Sequence, residues 1–245
     1  MKEFIYGRNP VYETLRARRR QVFGLQVADG AQEKGRLGEI IQMARERRVA
    51  VQRVPRSRLD KLSDSAQGVA LEVDGYPYSG LADIVAKAQK AGAPLFVLAL
   101  DSIQNPQNLG TLIRTAESVG VHGVIIPGHR AAEVTPAVVS ASAGASEHML
   151  IAQTNLAQAL DELKEAGAWA VGLDEDSASQ TPEQINLTGA LVVVVGSEGE
   201  GLRPLVRQKC DHLLRLPMHG KIESLNAAVA GSIVLYLALL ARNQK

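Results

Sequence analysis

The chain has one cysteine, Cys210, in 245 residues. A single thiol excludes an intrachain disulfide and a thiolate zinc cage, which needs several ligands. It fits a reducing compartment. Aromatic residues are scarce, at 4%, so a platform for stacking bare single strands is a poor fit. Net charge is nearly absent: 27 Lys+Arg against 26 Asp+Glu leaves +1. Taken whole, that balance argues against a nucleic-acid binder. Long hydrophobic runs are missing too. The most apolar stretch, 227–241, is interrupted by Gly231 and Ser232, and a membrane-spanning helix needs roughly 20 apolar residues. The opening MKEFIYGRNP carries Glu3 and no apolar core, so no signal peptide is expected. A cytoplasmic globular protein, away from membranes, is the simplest expectation.

Familiar catalytic signatures are absent as well. There is no G-x-x-x-x-G-K-[ST] phosphate loop, no H-E-x-x-H zinc motif and no G-x-S-x-G nucleophile elbow. The five histidines are scattered, so no metal site is expected. The glycines at 196, 199 and 201 stand in the order G-x-x-G-x-G. That is not the dinucleotide fingerprint, which disfavours a nicotinamide-dependent dehydrogenase.

What is present begins with a hidden asymmetry. Residues 1–75 hold 15 Lys+Arg against 10 Asp+Glu, or +5; residues 76–245 hold 12 against 16, or −4. The sign changes at DGYPYSG, 74–80, a Gly-Pro-Ser linker pattern. A first domain over 1–75, a linker and lead-in helix over 76–93, and a second domain over 94–245 follow.

Strand-like and helix-like segments alternate throughout, which reads as α/β. In the first domain, Asn9-Pro10 predicts a cap and a helix over 11–18. A second helix is predicted over 37–48 from Leu37, Ile40, Ile41 and Ala44, with strands over 22–27, 49–54 and 69–73. In the second domain strands are predicted over 95–100, 123–126, 148–152, 169–173, 191–195 and 212–216. Four consecutive valines, 192–195, fit a strand buried on both faces of a parallel sheet. The helix over 224–241 is apolar nearly all round, so either the domain or a second copy covers it.

Three strand ends carry unusual polar sequence. Asn105-Pro106-Gln107-Asn108 leads into a helix with Arg114, and Asn108 is a candidate cap. Gly196-Ser197-Glu198-Gly199-Glu200-Gly201 follows the valine strand; glycine there permits close approach of a ligand. Leu216-Pro217-Met218, then Glu223-Ser224-Leu225-Asn226, precedes the last helix, with Ser224 as a candidate cap. Ligands of open α/β sheets sit at such strand ends. Each segment alone reads equally as an ordinary turn or cap; their coincidence at three ends of one sheet is more telling.

The order N-x-x-N-x-G-x-x-x-R-T-A, then V-G-S-E-G-x-G-L, then L-P-M-x-G-x-x-E-S-L-N resembles the three motifs of the SpoU/TrmH-type RNA 2′-O-methyltransferases of the SPOUT superfamily, over about 95–241. The front, with G-R-N-P-V-x-E-x-L-R at 7–16 and A-Q-G-V-A at 66–70, is similar to the small L30e-like RNA-binding domain of the subgroup acting on large-subunit ribosomal RNA. Two departures stand out: Asn105 replaces a usual Asp, and Ala227-Ala228 replaces a usual Val-Ser.

The resemblance implies a deep trefoil knot in the C-terminal fold, a homodimer, and S-adenosylmethionine as co-substrate. It places Gly196, Leu216 and Leu225 at the cofactor, with Met218 and Asn226 nearby. It gives Arg114 the activating role in 2′-O-methylation of a ribose, a guanosine of 23S ribosomal RNA, and leaves Asn108 to position the nucleotide. Glu198 and Ser224 join the site as hydrogen-bonding groups. Arginine is a poor base at neutral pH, so holding a phosphate while stabilising the oxyanion is an equal reading of Arg114. Arg8, Arg16, Arg18, Arg19 and Arg20 are the RNA-binding candidates of the front domain, within a wider set of Arg45, Arg47, Arg48, Arg53, Arg56 and Arg58. A tRNA substrate and a non-catalytic L30e-like RNA-binding protein are the alternatives.

Overall fold

The computed structural model describes residues 2–176, 178–222 and 224–243. In chain order the elements are β1 (Lys2–Tyr6), α1 (Arg8–Ala17), β2 (Val22–Ala28), α2 (Gly35–Glu46), β3 (Val51–Val54), α3 (Arg56–Asp60), β4 (Val69–Asp74), α4 (Leu81–Ala91), β5 (Phe96–Leu100), α5 (Pro106–Ser118), β6 (Gly123–Ile126), α6 (Pro136–Ala141), β7 (Leu150–Gln153), α7 (Leu156–Glu165), β8 (Trp169–Leu173), β9 (Leu191–Val195), α8 (Pro204–Lys209), β10 (His212–Leu214) and α9 (Ala227–Asn243). The α/β class is as expected. Among the described residues no helix is long and apolar enough to cross a membrane.

Two compact units emerge: Met1–Pro77 with Val134–His148, and Tyr78–Glu133 with Met149–Lys245. In the first, β1-β4-β2-β3 form a sheet in which β4 runs antiparallel to β1 and β2, while β2 and β3 are parallel. The strand β1 has no counterpart among the elements expected from sequence. Its pattern becomes legible only beside β4, where Ile5 faces Leu71 and both are fully buried.

The helix expected from Asn9-Pro10 opens earlier, at Arg8, with Gly7 (φ 89°) as the capping residue. The Arg8 amide, which would be an orphan donor, bonds instead to the side-chain oxygen of Gln67 at 3.0 Å. The segment Val134–His148 gave no sign in sequence of belonging to this unit. Its α6 packs on β1, and the 3₁₀ turn Ala145–His148 packs on α1. Gly144 is required there, because a Cβ would stand 2.6 Å from that of Glu13.

A buried ion cluster closes the unit. The Arg20 guanidinium donates from Nε and Nη2 to Glu147 at 3.0 and 2.9 Å, and from Nη1 to Glu3 and the Asp74 carbonyl at 3.1 Å. The Arg20 and Glu147 side chains are 0% and 1% exposed. Burial alone would lower the arginine pKa; the two carboxylates outweigh it and raise it. Tyr76 lies under the guanidinium, 5.1 Å to the ring centre, and its hydroxyl donates to the Ser146 carbonyl. Burial pushes that phenol up to about 12.

In the second unit β10-β8-β9-β5-β6-β7 form one parallel sheet. All five residues of β5 and of β9 are buried, as expected of central strands covered on both faces. The chain runs outward from β5 through β6 to β7, then crosses to build the other half. The order therefore reverses between β5 and β9, and open parallel sheets bind ligands at such a switch point.

Candidate active site at the switch point

Loops leave β5 and β9 side by side, and the Asp101 amide still pairs with the Val195 carbonyl at 2.7 Å. The first loop starts α5. Its cap is Asn105 rather than the expected Asn108: the Asn105 side-chain oxygen accepts the Gln107 amide at 2.8 Å, and Pro106 takes the first helical position. An Asp would accept the same bond, so the departure at 105 keeps the cap. Asn108 lies inside the first turn, 9% exposed, and is freed for another task.

The second loop folds on itself. Ser197 and Gly201 exchange backbone hydrogen bonds, and a Cβ on Gly196 would fall 2.3 Å from the Gly201 carbonyl carbon. No side chain fits at 196. The fully buried Asp101 carboxylate ties down the loop's far end, accepting the Arg203 amide at 2.8 Å and Nε at 2.6 Å. Asp101 was missed from sequence. Its signal was available, a lone acid at the end of a five-residue apolar strand.

The third loop enters α9. That helix starts at Ala227, and its cap is Asn226 rather than Ser224: the Asn226 side-chain oxygen accepts the amides of Ala228 and Val229 at 3.0 and 3.2 Å. Glu223, expected just before the cap, lies outside the described residues. Gly231 lets α9 approach the sheet, since a Cβ there would be 2.6 Å from Leu112 and 3.0 Å from Val195. Thr115 and Ser232 join α5 to α9 by a 2.9 Å hydrogen bond.

The three loops meet in one hydrogen-bonded cluster. Asn108 Nδ2 donates to Glu198 Oε1 at 3.0 Å, Asn226 Nδ2 donates to Asn108 Oδ1 at 3.2 Å, and Asn226 Nδ2 also donates to Glu198 Oε1. Beside the cluster opens a cavity of about 650 Å³, within the range for a cofactor-sized ligand. Of the residues expected at the site, Gly196, Glu198, Leu216, Met218, Ser224, Leu225 and Asn226 line it. Asn108 joins through its hydrogen bonds. Arg114 does not line the cavity; it is exposed on α5, six residues beyond Asn108.

Asp174, Glu175, Arg207 and Arg215 add a charged wall that sequence did not reveal. Burial alone would raise the Asp174 carboxyl. The Asp176 amide and Arg207, whose Nε is 2.6 Å away, outweigh it and hold it below the usual carboxylate range.

The front arginines separate. Arg8, Arg16 and Arg18 are exposed. Arg20 must be withdrawn from the RNA-binding set, because its guanidinium is wholly buried against Glu147 and Glu3. Arg19 is turned inward too, donating to the Pro77 and Glu147 carbonyls and to the Tyr76 hydroxyl.

Known proteins resemble this chain over both units. Residues 95–236 match the SpoU rRNA Methylase family, and residues 4–79 match the RNA 2′-O ribose methyltransferase substrate-binding family. YacO of Bacillus subtilis, named for the TrmH family of tRNA/rRNA methyltransferases, is 41% identical over 98% of this chain and 96% of its own. An uncharacterized tRNA/rRNA methyltransferase of Mycolicibacterium vanbaalenii is 44% identical over 99% of this chain and 77% of its own. The SpoU methyltransferase AviRb from Streptomyces viridochromogenes, solved with AdoMet, shares the fold: TM-score 0.80, 23% identity, 99% of this chain and 91% of that one. The chain belongs to the SpoU methylase family, and is an RNA 2′-O-ribose methyltransferase of the SpoU/TrmH type.

Proposed function

We propose that the protein transfers a methyl group from S-adenosylmethionine to the 2′-oxygen of a guanosine ribose in large-subunit, 23S, ribosomal RNA. The observation that carries this is the Asn108–Glu198–Asn226 cluster, drawn from three strand ends to the mouth of one cavity. The cavity fits S-adenosylmethionine: Leu216, Met218 and Leu225 offer an apolar wall, the Cβ-free Gly196 admits a ligand against the backbone, and carboxylates suit a cationic ligand. When bound, that molecule supplies an electrophilic methyl group.

The chain's own residues then have distinct tasks. The ribose oxygen bonds to the methyl carbon as that carbon's bond to the sulfonium sulfur breaks, which leaves a neutral thioether, and the hydroxyl proton passes to solvent water. A guanidinium is a poor base and a good bidentate donor, so in this reading Arg114 holds an RNA phosphate and stabilises the developing oxyanion. Asn108 positions the nucleotide, held by Glu198. Ser224 adds a hydroxyl to the same wall.

We assign RNA holding to residues 1–75, through Arg8, Arg16 and Arg18, and chemistry to 94–245 apart from Val134–His148, which packs within the first unit, with 76–93 joining them. The C-terminal segment is taken to thread a trefoil knot; β9 inserted between β8 and β5, and α9 packed back on α5 and β9, support that path. Val229, Ile233, Tyr236 and Leu240 form an exposed apolar stripe on α9, which a second copy of the chain covers in a homodimer. We place the protein in the cytoplasm, a reducing setting in which the lone, half-buried Cys210 stays a thiol.

The test is to incubate the protein with labelled S-adenosylmethionine and either unmodified ribosomal RNA or tRNA, then map the label. A methyl on a guanosine 2′-oxygen of ribosomal RNA is expected. Label in tRNA alone would overturn the substrate, and none in either would overturn the reaction.

A further inference from the structure

The front arginines lie at two opposite ends of the first unit's sheet. Strands β1, β2 and β3 run the same way, so their C-terminal ends share one edge with Gly7, Arg8 and Gln67. Helices α1 and α2 run back along the sheet and end at the other edge. There α1 closes on Arg18 and α2 on Arg47 and Arg48. Arg47 Nη1 donates to the Leu15 carbonyl at 3.0 Å, which brings the two helix ends together beside Arg16.

The backbone at these ends is unusual. Arg18 has φ 56° and Arg48 has φ 57°. This left-handed turn costs glycine little and a Cβ-bearing residue more. The second unit follows the cheaper course: α4, α5 and α7 close on Gly92, Gly120 and Gly167, at φ 61°, 77° and 86°. The hydrogen bonding is shared. Arg48 N and Val49 N bond to the Arg45 and Ala44 carbonyls, as Gly120 N and Val121 N bond to those of Glu117 and Ala116. Arginine thus stands where glycine completes an equivalent turn.

A cation at a helix C-terminus is favourable, and one per helix would satisfy that preference. Here like charges crowd instead: burial, and then the charge of Arg18, lowers the Arg47 pKa. Among the described residues Arg18 and Arg48 have no ion pair, and Arg16 has only Glu13 at 3.4 Å on the surface.

We propose that Arg16 and Arg18 act apart from Arg8 within the RNA-holding unit: with Arg47 and Arg48 they form a separate surface at the opposite edge of the sheet, which grips the phosphate backbone of helical RNA flanking the target. This rests on the reading that the chain acts on RNA. Guanidinium forks suit phosphate oxygens, and such contacts are sequence-independent and salt-sensitive.

The test compares the wild type with Arg18→Gly/Arg48→Gly and with Arg18→Gln/Arg48→Gln, using a 20-base-pair RNA duplex and fluorescence anisotropy over a KCl series. Both double variants should lose about tenfold in affinity at 0.1 M salt, and the slope of log K on log salt should shrink by roughly 1.5. The glycine pair should melt no lower than the wild type, and S-adenosylmethionine affinity should be unchanged in both. Wild-type affinity in either pair would overturn the surface, including a loss confined to the glycine pair, which would trace to a loosened backbone. A wild type that fails to bind the duplex at any salt would overturn both this surface and the RNA-holding role of the first unit.

Discussion

In the six-stranded sheet every strand points the same way, so every loop after a strand leaves from one edge. Asn108, Glu198 and Asn226 are 90 and 28 residues apart in turn, yet they share hydrogen bonds. In the four-stranded sheet β4 runs against β1 and β2, and the helices carry polar residues to both edges. The parallel sheet concentrates chemistry in one walled cavity. The mixed sheet spreads charge over two ends and buries what remains, as with Arg20 and Glu147. A point site needs convergence, whereas holding a long polyanion needs separated contacts.

The largest break in that comparison should come from Arg114→Ala. Catalytic turnover is expected to fall about 10³-fold, roughly 4 kcal/mol of transition-state stabilisation, if the guanidinium serves the oxyanion. Calorimetry should find S-adenosylmethionine affinity within twofold of wild type, because Arg114 stands outside the cavity lining. Near-normal turnover would remove Arg114 from the site.

Next in size is Glu147→Gln in the first unit. It strands the buried Arg20 guanidinium with only Glu3 as a charged partner, and should cost about 3 kcal/mol in denaturant unfolding. Replacing both partners with apolar residues, Arg20→Met with Glu147→Leu, should regain most of it, since the desolvation penalty goes too. If the double variant is no better than the single, the cluster does more than fill the core. Smaller again is Gly196→Ala. Its Cβ would overlap the Gly201 carbonyl carbon, so the loop must open; S-adenosylmethionine affinity should weaken about tenfold, roughly 1.4 kcal/mol. An unchanged dissociation constant would mean that the loop is not part of the pocket.

Much of this was legible in the sequence because its signals are local. The valine run marked β9, the strand ends marked the three loops, and the motif order marked the family. The unread parts depend on partners far along the chain. Arg20 looks like its exposed neighbours Arg16 and Arg18 until Glu147, 127 residues on, is brought against it. The strand β1 needs β4. Asn105 and Asn108 compete for one cap, as do Ser224 and Asn226, and composition cannot choose. In each pair the residue on the loop's own turn takes the cap. Asn108 then turns its side chain to the cluster, while Asn226 does both, capping with its oxygen and donating with its nitrogen.

The smallest expected effect concerns the opposite edge of the parallel sheet, at the N-terminal ends of its strands. His122, just before β6, is buried, and its Nδ1 accepts the Phe96 amide at 3.0 Å. The ring is therefore neutral there, with its proton on Nε2. Burial first, then the charges of Lys87 and Arg242, lower its pKa below the ordinary 6.5. A folded-state pKa below the unfolded one stabilises the fold above the unfolded value and loses that contribution as pH falls. Thermal stability should thus decline more steeply below about pH 6.5 in the wild type than in His122→Gln. S-adenosylmethionine affinity should show no step that the substitution removes, because binding sits at the other edge. Equal pH slopes of stability would show that the buried imidazole is not held neutral. A binding step that vanishes with His122 would show that the two edges are coupled through the strands, and that the parallel sheet does not confine its function to one side.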